Sequence, residues 1–322
     1  MKGALGAVLV SSAGGKVPLL RAAKHAAQRL DPEAKVVAAD LDGQAPTRFV
    51  ADDFWQMPPL EALNLDTLIA DCRRRDIRTI LPTRDAELGF WADAKARLQD
   101  EGISVIVSSS QSVDLCLDKL AFSQWGAANH LPIIPASQEV DAFSGHRLVV
   151  KERFGAGSRA IGIDLDETEA RRHAAGLANP LFQPLVTGKE ISIDAWLDAS
   201  SHVHGLNLRH RTRVIHGESQ TTVTFRNPAI EAKAREVLSR LKLSGPVVMQ
   251  AMMTGQDLAI IEVNARFGGA STASIPVGLD LLYWSLFERA CPERPLPVFE
   301  RATGDIRQVR VAEDLVIHDP HI

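Results

Sequence analysis

Gln250, Glu262, Asn264 and Arg266 lie in or beside two apolar runs, Val247–Met253 and Leu258–Asn264, that read as paired strands. A three-residue turn at Gly255-Gln256-Asp257 would place Gln250 opposite Glu262, and the strand period of two puts Asn264 on the face of Glu262. Three oxygen-bearing side chains converging at one point suit a hard divalent cation such as Mg2+, shared with nucleotide phosphates. A hydrogen-bonded polar cluster is the alternative. A carboxylate among Met249, Ile260 and Ile261 is costly unless paired, which favours metal ligation.

Three further stretches carry charge or exposed backbone. Gly155-Ala156-Gly157-Ser158-Arg159-Ala160-Ile161-Gly162 lies between strand-like segments, Leu148–Lys151 and Ile161–Leu165, so its glycines tip a β-hairpin and do not open a helix as a dinucleotide-binding turn would. Such a hairpin is either an ordinary turn or a loop whose bare N–H groups fold over phosphates, with Lys151 below it as a cation. Arg209, Arg211 and Arg213 alternate along one strand, as a solvated basic face or as a clamp on phosphoryl groups. Gln183-Pro184-Leu185-Val186 is a connector whose backbone suits a planar base edge, and Glu190 follows at a distance suited to ribose hydroxyls.

Other chemistries find little support. His202 and His204 fall on opposite faces of a strand and make a poor chelate. No Ser/His/Asp constellation stands out. Cys72, Cys116 and Cys291 are scattered, with neither disulfide nor metal spacing, which fits a reducing cytosol. A net charge of −4 over 322 residues argues against a dedicated nucleic-acid binder, though not against a local basic pocket. No run approaches the ~18 apolar residues of a membrane span, and Met1–Val10 passes into Ser11-Ser12-Ala13-Gly14-Gly15 as a strand does into a loop. These features describe a soluble cytoplasmic protein.

The elements that position these residues change character along the chain. In the first third, Ala4–Val10, Lys35–Asp40, Thr79–Pro82 and Ile103–Val107 read as strands, alternating with helices at Val17–Leu30, Leu65–Arg75 and Asp85–Glu101. That alternation predicts a doubly wound parallel sheet, whose ligands bind beyond the carboxyl ends of its strands. Gly14 and Lys16 lie in one such loop, and Thr83, Arg84, Asp85 and Glu87 in another; they are candidate substrate residues, although acids there equally suit the first turn of a helix. Beyond Ser110, one helix over Val113–Asn129 precedes strands at Ile191–Leu197, Gly205–Ile215 and Thr221–Thr224, a helix at Ala229–Leu241, and the two strands described first. Consecutive strands predict antiparallel sheet, hence α+β.

In this order the residues resemble the ATP-grasp family, and in particular its small ligases similar to the carbamoyl-phosphate synthetase large subunit. Asp118-Lys119 looks like the first nucleotide lysine and Lys151 the second; Gly155, Gly157 and Ser158 match the mobile phosphate loop. Gln183, Leu185 and Val186 look like the adenine hinge, with Glu190 at the ribose position, and Arg211 matches the phosphate-side arginine. Gln250, Glu262 and Asn264 match the magnesium ligands, and Arg266 the arginine beside them. Gln183 stands where many relatives carry an acid, and Gly15-Lys16 replaces the usual basic pair. The resemblance implies a pre-ATP-grasp domain over 1–110 and an ATP-grasp module with lobes at 111–186 and 187–322. It implies ATP and Mg2+ (with Mn2+ as the alternative cation) and no protein nucleophile. The implied reaction activates a carboxylate, an amino acid or another small acid, as an acylphosphate, with Arg211 and Arg266 stabilising the transferred group, and couples it to an amine with release of ADP and phosphate. The alternatives are a nucleotide-binding regulatory protein without turnover, or a carboxylate–thiol or carbamoyl-phosphate-type ligase. The implied partners are a small-molecule carboxylate and an amine, with no nucleic acid or membrane, and a homodimer is allowed.

Overall fold

The computed structural model describes residues 5–155, 157, 160–215 and 217–317. The N-terminal part comprises β1 (Ala7–Val10), α1 (Val17–Leu30), β2 (Val36–Asp40), β3 (Asp53–Gln56), α2 (Leu65–Arg74), β4 (Ile77–Leu81), α3 (Asp85–Asp100) and β5 (Ser104–Val105). Its five strands pair in parallel in the order β3-β2-β1-β4-β5. The chain winds outward from β1 on one side and returns through β4 on the other, so the loops after β1 and β4 meet at the switch point where such sheets bind ligands. Leu19, Leu20, Ala23, Ala26 and Ala27 form the buried stripe of α1, a helical period that drives it onto the sheet. The short edge strand β3 has only Trp55 buried, so it carries no apolar run by which to be read.

The predicted helix over Val113–Asn129 is two helices, α4 (Ser110–Leu117) and α5 (Lys119–Ala128). Asp118 breaks them, leaving the helical region at φ −95°, ψ 99° and accepting from the N–H groups of Leu120 and Ala121. A side chain that caps the second helix outcompetes continuation of the first. Next come β6 (Leu148–Glu152), β7 (Gly162–Leu165), α6 (Glu167–Ala174) and β8 (Pro180–Pro184), the strands forming an antiparallel sheet in the order β7-β6-β8. β6 and β7 pair antiparallel on either side of the glycine-rich stretch, as expected of a hairpin; Ala156, Ser158 and Arg159 lie outside the described residues. The helix α6 buries only Ala170, so no periodicity betrays it.

The remainder is β9 (Lys189–Leu197), β10 (Val203–Ile215), β11 (Glu218–Phe225), α7 (Pro228–Arg240), β12 (Gly245–Thr254), β13 (Asp257–Asn264), α8 (Leu281–Ala290) and β14 (Arg307–Val309). Its six strands form one antiparallel sheet in the order β13-β12-β9-β10-β11-β14. Ile191, Ile193, Ala195, Met249, Ala251, Ile260 and Val263 turn one face into the core with Ile230, Ala234, Val237 and Leu238 of α7. Alternation leaves the other face to polar residues. Among the described residues no helix is long and apolar enough to cross a membrane.

Candidate active site

The polar face of the six-stranded sheet is a lattice set by register. Glu262, Gln250, Ser192 and Arg209 are successive cross-strand partners on β13, β12, β9 and β10. Asn264, Val248, Asp194 and Asn207 form the next row. Gln250 thus sits opposite Glu262, and Asn264 Nδ2 lies 3.4 Å from Glu262 Oε1. The route to this register differs from the expected one. Thr254 pairs with Asp257, so the turn is one residue shorter, and a bulge in β13 between the partners of Gln250 and Ala251 restores the offset.

Lys151 and Gln183 face this lattice from the small sheet, where Lys151 pairs with Leu181 and Gln183 with Val149. Lys151 is 8% exposed. Burial pushes its pKa down to about 8 despite attraction from Glu262 and Glu190, with repulsion from Lys119 adding to the shift. These influences place Lys151 among the residues singled out on the opposite sheet. Gln183 is buried and donates from Nε2 to the Ile134 carbonyl at 3.3 Å. The Leu185 N–H donates to Arg147 O at 2.7 Å. The connector is therefore less free than its sequence suggested, and among the described residues it is the Val186 N–H that finds no acceptor.

Lys119, at the start of α5, donates through Nζ to the Gly155 carbonyl at 2.7 Å. Arg153 Nε donates to Asp118 at 2.7 Å, tying the end of β6 to that helix. Burial alone would raise the Asp118 pKa, but hydrogen bonds from Arg153 and from the Ala121 and Leu120 backbone hold it below the ordinary carboxylate range. Gly155 and Gly157 have φ of +105° and +82°, open to glycine. Gly157 reaches the β10–β11 hairpin, where a Cβ on Gly217 would lie 3.0 Å from its carbonyl oxygen. Ser158 lies outside the described residues.

The three arginines of β10 have three different surroundings. Arg209 is buried and forks onto Asp194, Nε to Oδ2 at 2.8 Å and Nη2 to Oδ1 at 3.0 Å. Arg211 pairs with Glu190 and donates to the Gly217 carbonyl at 2.6 Å. Arg213, past a register shift, is exposed. Of the three, only Arg211 is paired with a carboxylate that is itself partly open to solvent, Glu190. Next to Arg211, Thr222 Oγ1 is buried without a hydrogen-bond partner among the described residues.

The switch-point residues adjoin this region through Arg266, whose Nε donates to Asp85 Oδ1 at 2.8 Å while Nη2 contacts the other oxygen. Lys16 Nζ donates to Ser12 O (2.8 Å), Thr83 O (3.2 Å) and Thr83 Oγ1 (2.8 Å), stitching the β1 and β4 loops. Burial lowers its pKa to about 8, against attraction from Glu87. Glu87 is 2% exposed and accepts from the Ser11, Ser12 and Trp91 side chains and from the Thr83 and Arg84 N–H groups. That carboxylate is saturated and serves to shape the loop. Gly14, at φ +41°, presents its carbonyl to Thr47 Oγ1 at 2.9 Å, and a Cβ there would lie 3.2 Å from Asp40.

Sequence reasoning passed over a buried network beneath the loop that follows Arg266. Besides Arg209, Asp194 accepts from Ser271 Oγ (2.7 Å) and Ser274 Oγ (2.5 Å), and Ser271 Oγ in turn accepts from the Gly268 N–H. The signal was present: Asp194 is an acid in an apolar strand, the same cue that singled out Glu262. Of the two histidines, His204 packs edge-on against Trp196 and Trp284, and His202 is exposed.

The chain thus sets a doubly wound domain before a small and a large antiparallel sheet, with a lysine on the small sheet facing carboxylate and amide groups on the large one. Residues 116–270 match the family model of the ATP-grasp domain, and residues 8–106 that of the PylC-like N-terminal domain. Residues 116–270 are thus an ATP-grasp domain, preceded by a PylC-like N-terminal domain. Among solved structures it is similar to the biotin carboxylase domain of Hydrogenobacter thermophilus 2-oxoglutarate carboxylase, in complex with MgADP, ADP and bicarbonate. That match has 17% identity, covers 95% of this chain and 74% of the other, and has a TM-score of 0.75. N5-carboxyaminoimidazole synthetase from Staphylococcus aureus, complexed with ADP, matches at 15% identity over 91% of this chain and 79% of the other, TM-score 0.69. At such identities the likeness is one of fold. No curated protein matches the chain.

Proposed function

We propose that this protein is an ATP-dependent ligase that activates a carboxylate as an acylphosphate and joins it to an amine, releasing ADP and phosphate. The observation that carries the reading is the placement of Lys151, a nearly buried cation whose pKa is held at about 8 within the influence of Glu262, Glu190 and Lys119. Burial at that cost is explained by an anion that supplies the missing counter-charge, and a triphosphate does so.

Lys119 and Lys151 would neutralise the phosphates, and the Val186 N–H and Gln183 would meet the base edge. Gln250, Glu262 and Asn264 fit Mg2+: one carboxylate and two amide oxygens are too weak to hold the ion alone but suited to sharing it with phosphate oxygens. Among the described residues no cluster of three His, Cys, Asp or Glu side chains offers a stronger metal site. When bound, the ion would polarise the phosphates and offset charge on the transferred group. Arg211 stands where it can exchange Glu190 for a phosphoryl oxygen, and the orphan Thr222 Oγ1 beside it can donate to the same group. The substrate carboxylate oxygen bonds to the γ-phosphorus as the bond to the ADP oxygen breaks. The amine nitrogen then bonds to the acyl carbon, phosphate leaves, and the amine loses a proton. On this reading residues 1–110 contribute the substrate end, and 111–186 and 187–322 the two lobes of the nucleotide site.

The test is ADP release with ATP, Mg2+, a panel of carboxylic acids and hydroxylamine as amine, with the hydroxamate identified by mass. Acid-dependent ADP with matching hydroxamate is expected. ATP binding without acid-dependent ADP across the panel would refute turnover.

A further inference from the structure

We propose that Arg310, just past the last strand of the large sheet, is a specificity-determining residue. It receives a second acidic group, carboxylate or phosphate, that one of the two organic substrates carries away from its reacting atom. The inference rests on the ligase reading and narrows its substrate class.

It starts from the place of β14 in the sheet. Gln308 pairs with Thr222 of β11, and Thr222 with Arg211 of β10, so the three form one cross-strand row. The strand period of two puts Arg310 on the same face, and Gln308 and Arg310 are half-buried while Val309 between them is exposed. The Arg310 N–H continues the pairing, donating to the Gln220 carbonyl at 2.8 Å. The row is left open: Thr222 Oγ1 is buried without a hydrogen-bond partner among the described residues, and Gln308 Nε2 turns to Thr272 Oγ1 at 2.7 Å. The Arg310 guanidinium spans two parts of the site. It pairs with Glu218 on the β10–β11 hairpin, and a Cβ on Gly269, in the loop that follows Arg266, would lie 2.8 Å from Arg310 Nη2. Beyond it the chain reaches the first domain, where Glu313 pairs with Arg21 of α1 at 2.6 Å.

The partner sets this arginine apart. The Glu218 side chain is 65% exposed, so water takes over its carboxylate when Arg310 leaves it. Such an exposed pair contributes little to stability and is cheap to exchange. Arg301, whose Nε reaches Asn207 on the same face, commits its other nitrogens to the Ala302 and Gly304 carbonyls and to Asp305. Position then decides which anion Arg310 serves. β14 is five steps across the sheet from β13, about 24 Å at about 4.8 Å a step, too far to share phosphates held over Glu262. It is two steps, about 10 Å, from the strand of Arg211, which faces the transferred phosphoryl group on the proposed function. The anion at Arg310 is therefore set back from the reaction and belongs to an organic substrate.

The experiment compares wild-type, Arg310→Gln and Glu218→Gln proteins with ATP and Mg2+, reading ADP and product mass. In one arm hydroxylamine is the amine, and aspartate, glutamate and short α,ω-diacids are run beside asparagine, glutamine and monoacids of equal length. In the other, the best acid is paired with glycine, β-alanine and O-phosphoethanolamine, run beside glycinamide, β-alaninamide and ethanolamine. In one of the arms the acid-bearing substrate is expected to exceed its neutral counterpart by at least about tenfold in kcat/KM, the scale of a hydrogen bond to a charged group. Arg310→Gln should raise the KM for that substrate about tenfold and cancel the preference, leaving the KM for ATP within about twofold. Glu218→Gln removes the competing carboxylate and should lower the same KM about threefold, the scale of an exposed ion pair. If the pair merely braced the hairpin, both variants would lose activity alike. A KM unchanged or raised by Glu218→Gln therefore overturns the inference, as does equal use of acid-bearing and neutral substrates by the wild type. Glu218 is exposed, so its variant decides the matter even if Arg310→Gln fails to fold. Should no substrate yield ADP, the ligase reading fails, and calorimetric titration of MgADP-loaded protein with the same compounds decides the inference separately. Binding of an acid-bearing compound weakened at least about tenfold by Arg310→Gln, or tightened by Glu218→Gln, sustains it; absence of such binding overturns it.

Discussion

Replacing Lys151 with Met should make the ligand-free protein more stable and its nucleotide binding weaker. Lys151 is 8% exposed, and burial lowers its pKa from 10.5 to about 8. Keeping its ammonium charged at pH 7 therefore costs about 3 kcal/mol of folding free energy. Between pH 8 and 10.5 the unfolded chain binds more protons than the folded one. This cost is thus full below pH 8, relieved as pH rises, and gone above 10.5. Methionine fills a similar volume without the charge. At about 2.1 cal/mol/K per residue, 3 kcal/mol over a cooperative unit of 322 residues corresponds to an increase in Tm of about 4 °C at pH 7, shrinking towards pH 10. Lys16 has a similar pKa of about 8, so the difference between variant and wild type is diagnostic and the wild-type profile alone is not. Phosphate binding requires the charged form. ADP affinity, measured by calorimetry in EDTA so that no metal reaches Glu262, should fall about tenfold from pH 7 to 9 in the wild type. It should be low and flat in Lys151→Met. A lower Tm for Lys151→Met at pH 7, or wild-type ADP affinity that does not change from pH 7 to 9, would refute the assignment of Lys151 as a phosphate cation held at a cost.

Glu262→Ala should reduce acid-dependent ADP formation by about 1,000-fold or more, the scale of losing a metal-held phosphoryl clamp; because Glu262 is only half-buried, its melting temperature should stay near that of the wild type. Asp194→Ala leaves Arg209 buried without its counter-ion and should cost about 3–5 kcal/mol in urea unfolding, whereas Asp194→Leu with Arg209→Met should recover most of that loss; an equally damaged double variant would contradict the ion-pair account. Glu87→Gln removes acceptor capacity from a carboxylate with five donors and should cost about 2–4 kcal/mol, read by chemical denaturation, with a change under 1 kcal/mol disproving its role in shaping the β4–α3 loop.

The parts legible in the sequence were those in which burial and period act together. Parallel strands such as Val36–Asp40 are continuous apolar runs because both faces are covered, and the Gln250–Glu262 pairing follows from strand alternation. Elements with one buried residue, such as β3 and α6, left no pattern, because most of their side chains face water. The break at Asp118 was hidden for another reason. Apolar residues continue through it, and the deciding interactions are a cap on the next helix and a salt bridge to Arg153, 35 residues away. The arginines of β10 show the same limit. Identical residue types at even spacing promised one function, but the partner that distinguishes Arg209 from Arg211 lies on β9, and sequence spacing within β10 carries no information about it.

Among the described residues, the cations that the proposed function assigns to ligand each have a protein partner at rest, except Lys151. Arg211 holds Glu190, Arg266 holds Asp85, and Lys119 holds the Gly155 carbonyl. Binding at those three is therefore an exchange of partners, and its free energy is a difference between two good interactions. An exchange of that kind contributes little affinity but much selectivity, because a ligand lacking the right charge leaves a buried group unpaired. Lys151 is the opposite case: its ammonium pays desolvation without a saturating partner, so a phosphate there recovers the whole cost and contributes affinity. On the proposed function the division places affinity at Lys151 and selectivity at Lys119, Arg211 and Arg266, where each ligand group has to replace a protein partner of matched charge or polarity.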